Sequence, residues 1–315
     1  MAIFNFYPTR KYEYVWLNIF GMIGLHLGAA LGYLLVPRAQ VATLIWAYAL
    51  LLLGTLGVQA GAHRLWCHKS YKANFGVRLF LSLCHVLALQ NDVYEWSRDH
   101  RAHHKFADTD GDPHDSSKGF FFSHVGWLLV KKHPEVKRRG ATLDLSDLLA
   151  DPIVSFQKTF YIPLVAIFWG AIPTFVPVLC WGEDFIVAGS VCVFARYVTS
   201  LNLTWFVNSW AHIYGYKPYD QKLAAVEASI RHLLMGEGFH NYHHAFPWDY
   251  SASELGPADV FNPATAAIDF FHYMGWAWDL KKPCPRQGAP ERRPPAAPPP
   301  TLSSVGGRLG LRSGP

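Results

Sequence analysis

Four long apolar runs dominate the chain, at residues 15–36, 41–61, 160–181 and 185–207, and the polar residues gather between and after them. At about 1.5 Å of rise per helical residue, each run reaches roughly 30–35 Å, enough to cross the hydrocarbon core of a bilayer. The runs pair into two hairpins. PRAQ at 37–40 turns the first and GED at 182–184 turns the second, so little chain is left on the far side of the membrane. Segment 62–159 holds fourteen Lys or Arg, whereas the two turns hold only Arg38. That asymmetry places both termini and the middle segment in the cytosol. Pro163, Pro173 and Pro177 in the third run would kink a helix, which spans tolerate. Arg196 in the fourth run must face protein or a polar cavity, because lipid cannot solvate it.

The expected fold is therefore an all-α integral membrane protein, four transmembrane helices with a cytosolic helical domain. The first run is too long for a cleaved signal peptide and reads as a signal anchor. Residues 75–90, FGVRLFLSLCHVLALQ, are apolar but short and carry Arg78 and His85. They suit a helix lying in the membrane interface or packed beneath the cytosolic domain. Residues 1–282 read as one domain, and the Pro-rich tail 283–315, containing ERRPPAAPPP, reads as disordered.

Composition supports this picture and narrows the function. Hydrophobic residues make up 51% of the chain and aromatics 15%, more apolar surface than a soluble domain needs. The net charge of +5 suits an anionic membrane face or an acidic partner, and no basic stretch is interleaved with base-stacking aromatics as nucleic-acid binding would require. Five cysteines without CxxC spacing read as reduced thiols, which argues against a cysteine-built zinc site.

The chemistry lies in the histidines. RDHRAHHKF carries His100, His103 and His104, and HNYHH repeats the spacing at His240, His243 and His244. On a helix, positions i, i+3 and i+4 share a face, so each triplet can present three ring nitrogens to one locus. With His63 and His68 in HRLWCH, eight of the sixteen histidines fall in three short stretches next to the spans. A lone histidine is ordinarily a surface or core residue, and that reading suits His26, His85, His133, His232 and His272. Eight clustered imidazoles exceed what one ion can coordinate, so a two-metal site follows. HExxH is absent, and Glu237 with His240 is a single Glu-x-x-His where the carboxylate di-iron design needs two. A histidine-rich di-metal centre remains, and iron is the metal it points to.

The strings HRLWCH, QNDVYEWSRDHRAHHKF, GFFFSHVGWLL, NSWAHIYGYKPYD and GEGFHNYHHAFPWDY resemble the signature blocks of the membrane acyl-CoA desaturases, the stearoyl-CoA (Δ9) desaturase family, in an insect-like form. The likeness runs from about Tyr12 to Pro283. It implies two Fe2+ ions held by nine histidines, the ninth being His212, with Asn208 reaching a metal through water. One iron would take His63, His68, His100, His104 and His243, and the other His103, His212, His240 and His244. His114 and His124 would be structural or would support the ligands.

The resemblance further implies insertion of a cis double bond, Δ9 by the blocks, into a saturated fatty acyl-CoA. The reaction uses O2 and two electrons from cytochrome b5 and its NADH-dependent reductase, at the endoplasmic reticulum membrane. Acyl-CoA contacts would fall on Asn18, Asn91, Arg98, Asp99, Lys131, Lys132 and Trp205. Choosing one bond in a featureless alkyl chain needs a shaped tunnel, for which Trp66, Trp96 and Thr204 are wall candidates. Leu51 and Thr55, on the face of the second run that leads to His63, are floor candidates. A hydroxylase or acetylenase on the same scaffold, or another regiospecificity such as Δ11, stays open. A metal transporter would place ligands within the spans, which hold only His26.

Overall fold

A computed structural model describes residues 12–254 and 261–283. The tail, expected to be disordered, lies outside the described residues beyond Pro283. Four helices are long and apolar enough to cross a membrane: Trp16–Arg38, Val41–Cys67, Tyr161–Trp181 and Phe185–Ile213. In the first and third, 17% of the apolar window is buried in protein, against 44% and 67% in the second and fourth. The second and fourth helices therefore form the inside of the bundle, and the first and third face outward.

Two boundaries differ from the apolar runs. The second helix continues six residues past 61 to Cys67, and the fourth continues past 207 to Ile213. Hydropathy fell at these points because the added turns are polar, yet every residue from Gly57 to Cys67 is buried in protein. These extensions carry His63 and His212. The second spanning helix is wound as a π-helix over Gly57–Cys67, a local widening often found at functional sites.

At the far end, Glu183 from the second turn closes the two hairpins. Its Oε2 accepts the backbone N–H of Gln40 at 2.8 Å and the Thr43 hydroxyl at 2.5 Å. Arg196 is 4% exposed and donates to the Cys192 carbonyl at 2.7 Å and the Leu87 carbonyl at 3.1 Å, so it faces protein rather than lipid.

The short apolar segment forms helix Phe75–Ala88, capped by Asn74, whose side chain accepts from Val77 N–H at 3.0 Å. It packs directly on the second spanning helix. A Cβ at Gly57 would meet the His85 backbone nitrogen at 2.1 Å, so only glycine permits this approach. Helix Val93–Phe106 follows, opened by Asp92, which accepts from Glu95 N–H at 2.8 Å. Near the chain's end, helix Pro263–Tyr273 and the strand Ala277–Trp278 return to the first histidine stretch, where the strand pairs with Lys72–Ala73. This strap helps frame the histidine end of the bundle.

Candidate metal centre

Each histidine arrives on a rigid element. His63 ends the second spanning helix, His68 caps it, His100, His103 and His104 ride helix Val93–Phe106, His212 ends the fourth spanning helix, and the last three lie on helix His240–Ala245. Their nitrogens gather into two groups: His63, His68, His100, His104 and His243, and His103, His212, His240 and His244. Within each group the ligating atoms all lie within 4.8 Å of one another.

Closer distances test whether a metal fits. Nε2 of His63 and His243 are 2.9 Å apart, His68 and His100 3.1 Å, His100 and His104 3.1 Å, and His104 and His243 3.0 Å. In the second group, His212 and His240 are 3.0 Å apart, His240 and His244 3.1 Å, and His103 and His244 3.3 Å. Ligand nitrogens about 2.1 Å from one metal ion stand about 3 Å from each other at right angles. Without a cation, so many lone pairs aimed at one point would repel. The donor set thus fits one metal ion per group. The two groups touch through His104 and His244, whose rings stack at 4.2 Å.

Burial favours ligation. It pushes His68, His100, His103, His104, His240, His243 and His244 well below the ordinary imidazole range, and neighbouring imidazoles add to the effect in each case. The rings are neutral near pH 7, the form that binds metal.

Carboxylates back the rings. Asp112 Oδ2 accepts the His103 Nδ1–H at 2.9 Å, while Oδ1 accepts the His114 backbone N–H at 3.1 Å. Glu237 lies 3.1 Å from His63 Nδ1 and accepts from Arg64 at 2.6 Å. Burial alone would raise its carboxyl, but His63 and Arg64 outweigh burial and hold it near 2. Asp108 stands 3.7 Å from His212 Nδ1. Arg64 is itself 1% exposed and also donates to the Thr265 hydroxyl at 2.9 Å and the Tyr250 carbonyl at 3.2 Å. Sequence reasoning missed this carboxylate layer. The acidic run ADTDGD directly after the second histidine stretch was the available signal, and Glu237 was weighed only as a ligand.

Two cavities adjoin the histidines. One of about 140 Å3 is lined by Asn91, Asp99, His100, His114, Trp205 and Asn208, among others. A second of about 60 Å3 is lined by Thr55, Gln59, His63, Glu237 and His240. Trp96, His100, Thr204 and Asn208 line both, so these four form the neck between them.

The tunnel candidates separate accordingly. Trp96, Thr204, Trp205 and Thr55 face the cavities. Trp66 lines neither; its ring packs beside Gly61 and its indole N–H donates to Asp151 at 3.0 Å. Leu51 is buried but also lines neither.

The polar candidates lie at the outer end. Arg98 pairs with Glu95 at 3.0 Å and with Asp99 at 2.9 Å, and Lys132 pairs with Asp99. Lys131 pairs with Glu13 at 2.5 Å, and Asn18 donates to the Leu128 carbonyl at 2.8 Å. Lys131 and Lys132 line a third cavity of about 490 Å3 together with Lys118 and Lys137, which sequence reading had passed over.

Fold and site together define a multi-pass membrane protein whose clustered histidines can hold two metal ions beside a narrow cavity. A family model described as fatty acid desaturase matches residues 42–294. Over 276 residues, 87% of this chain, it is 53% identical to a stearoyl-CoA desaturase of Sus scrofa and 52% identical to that of Homo sapiens, covering 76% of each. It is 50% identical to stearoyl-CoA desaturase 5 of Bos taurus over 274 residues, 81% of that protein. The chain belongs to the fatty acid desaturase family.

Proposed function

We propose that this enzyme inserts a cis double bond into a saturated fatty acyl-CoA, at Δ9, with stearoyl-CoA as the representative substrate. The observation that carries this reading is the convergence of nine histidine nitrogens beside a narrow, largely apolar cavity. The reaction converts an adjacent methylene pair, O2, two electrons and two protons into an olefin and two molecules of water. Two iron ions, when bound by the two histidine groups, supply the oxidising power. The protein supplies ligands, position and exclusion of water.

Carbon–hydrogen bonds along an alkyl chain are nearly equivalent, so selectivity must come from depth. Trp96 and Thr204 are read as gripping the chain at the neck, Trp205 as walling the larger cavity, and Thr55 as bounding the chain's inner reach. Arg98, Asp99, Lys131 and Lys132, joined by Lys118 and Lys137, are read as holding the polyanionic coenzyme A outside, where phosphate recognition by cations sets the depth of the thioester. Asn208, which faces both cavities, is read as holding a water at the metal edge.

Electrons are read as coming from cytochrome b5 on the cytosolic side, guided by the basic middle segment. The location is read as the endoplasmic reticulum membrane with both termini cytosolic. Expression in a desaturase-deficient yeast, followed by mass spectrometric location of the double bond, tests the assignment. A Δ9 olefin is expected; a hydroxy acid, an acetylenic product or a Δ11 bond would overturn the corresponding part.

A further inference from the structure

Helix Pro263–Tyr273 has two apolar faces. Ala264, Ile268 and Phe271 point into the core, as in any amphipathic helix. Its outer face should then be polar. Instead the exposed positions are mostly apolar, with Ala266, Phe270, Tyr273 and Met274 spaced for a single helical stripe and His272 the polar residue beside them, and Trp276 and Trp278 follow just past the helix. Tyr273 is 85% exposed, Phe270 51% and Trp276 40%. A surface this apolar on a water-facing domain is unusual and marks an interaction site.

Neighbouring elements show what covers it. Phe271 and Phe80 meet at 6.3 Å, and with Asn74, Gly76, Val77 and Trp276 they line an open groove of about 390 Å3. Phe80 belongs to helix Phe75–Ala88, which packs against helix Pro152–Thr159 and the start of the third spanning helix. There Phe156 and Phe160 pack at 5.0 Å, both exposed, and the exposed Ile162 begins the span itself. Exposed aromatic surface thus leads from a membrane-spanning helix to the terminal helix. Of the cations nearby, Lys72 pairs with Asp279 and Arg78 with Asp151, while Lys281 donates to the Lys69 carbonyl and Lys282 lies over the Tyr250 ring. Tyrosine and tryptophan are the side chains that settle at the boundary between headgroups and acyl chains.

We propose that helix Pro263–Tyr273 and the groove beside it form a lipid-seated platform. The helix lies in the bilayer interface with Phe270, Tyr273 and Trp276 among the acyl chains, and the groove takes a lipid tail. Apolar burial drives the seating, not headgroup charge. The platform braces the strap that frames the histidine end of the bundle, and it rests on the membrane reading of the four spans.

The test uses the full chain in phosphatidylcholine nanodiscs, with the photocrosslinker benzoylphenylalanine placed in turn at Tyr273, Phe270, Leu27 and Arg138. Leu27 lies exposed on the first span, and Arg138 lies exposed on the short helix Pro134–Gly140. After irradiation, mass spectrometry should find lipid adducts at 273, 270 and 27, at least tenfold above those at 138, and unchanged within twofold when phosphatidylserine is added. Adducts at 27 without adducts at 270 and 273 would overturn the platform alone. So would crosslinks from 270 and 273 to a second copy of the chain, or lipid adducts at 138 equal to those at 273. Lipid adducts that appear only with phosphatidylserine would overturn the apolar driving force. Absence of adducts at 27 would instead defeat the membrane reading itself.

Discussion

At the scale of single residues, the centre depends on two layers of side chain. The inner layer is nine imidazoles, and removing one from either group should release its metal. His103→Ala and His244→Ala are each expected to lose iron, measured per purified chain, together with desaturase activity; full activity in either would overturn the ligand assignment. The outer layer is the carboxylates. Asp112 holds the His103 ring by its Nδ1–H, which leaves Nε2 free for metal. Asp112→Ala should weaken metal binding by about 10–100-fold. Asp112→Asn keeps an acceptor oxygen and should recover much of that loss. Metal titration of the two variants separates orientation from charge. The acidic run ADTDGD hints at this outer layer, but which carboxylate backs which ring does not follow from distance along the chain, because Asp112 and Glu237 matter through the rings they face.

At the scale of elements, the second spanning helix lines the smaller cavity and supports the helix packed beside it. Its inner face presents Thr55 to the smaller cavity. Thr55→Trp should shorten the preferred acyl chain, seen in product profiles. Leu51→Trp should alter them less, since Leu51 lines neither cavity; equal shifts from both would place the floor deeper. Two residues further on, Gly57 lets helix Phe75–Ala88 lie against the span. Gly57→Ala forces a Cβ into backbone, which cannot yield as a side chain would. The expected loss is about 3 kcal/mol, at the top of the usual range for overpacking, read as a fall in thermal stability in detergent. The apolar runs foretold both helices, but not that the second would continue buried to Cys67. Hydropathy reports a side chain's preference for lipid, and those turns are buried in protein instead.

At the scale of the whole molecule, the histidine groups join elements that are remote in sequence, so metal and fold should be linked. Binding to the folded state alone stabilises it by mass action. Acid should reveal the opposite linkage in the metal-free chain. Seven imidazoles, buried or half-buried in the site, have folded-state values well below 6.5, so below that pH the unfolded chain binds more protons than the folded one. Their effect is absent above about 6.5 and destabilises the fold increasingly as pH falls beneath it. Melting temperature of the metal-free protein should therefore drop on acidification from pH 6.5, and more gently when His104 and His244 are both replaced by Gln. Local period and composition are enough to locate the four spans and the three histidine stretches, but not the packing of the first span, which lies mainly against the fourth. Packing between distant elements brings nine rings into two groups touching through His104 and His244, turns Trp96 rather than Trp66 to the two cavities, and sets Asp112 and Glu237 behind the rings. Helical periodicity sets which face a side chain occupies, but only the packing of helices distant along the chain sets what that face meets.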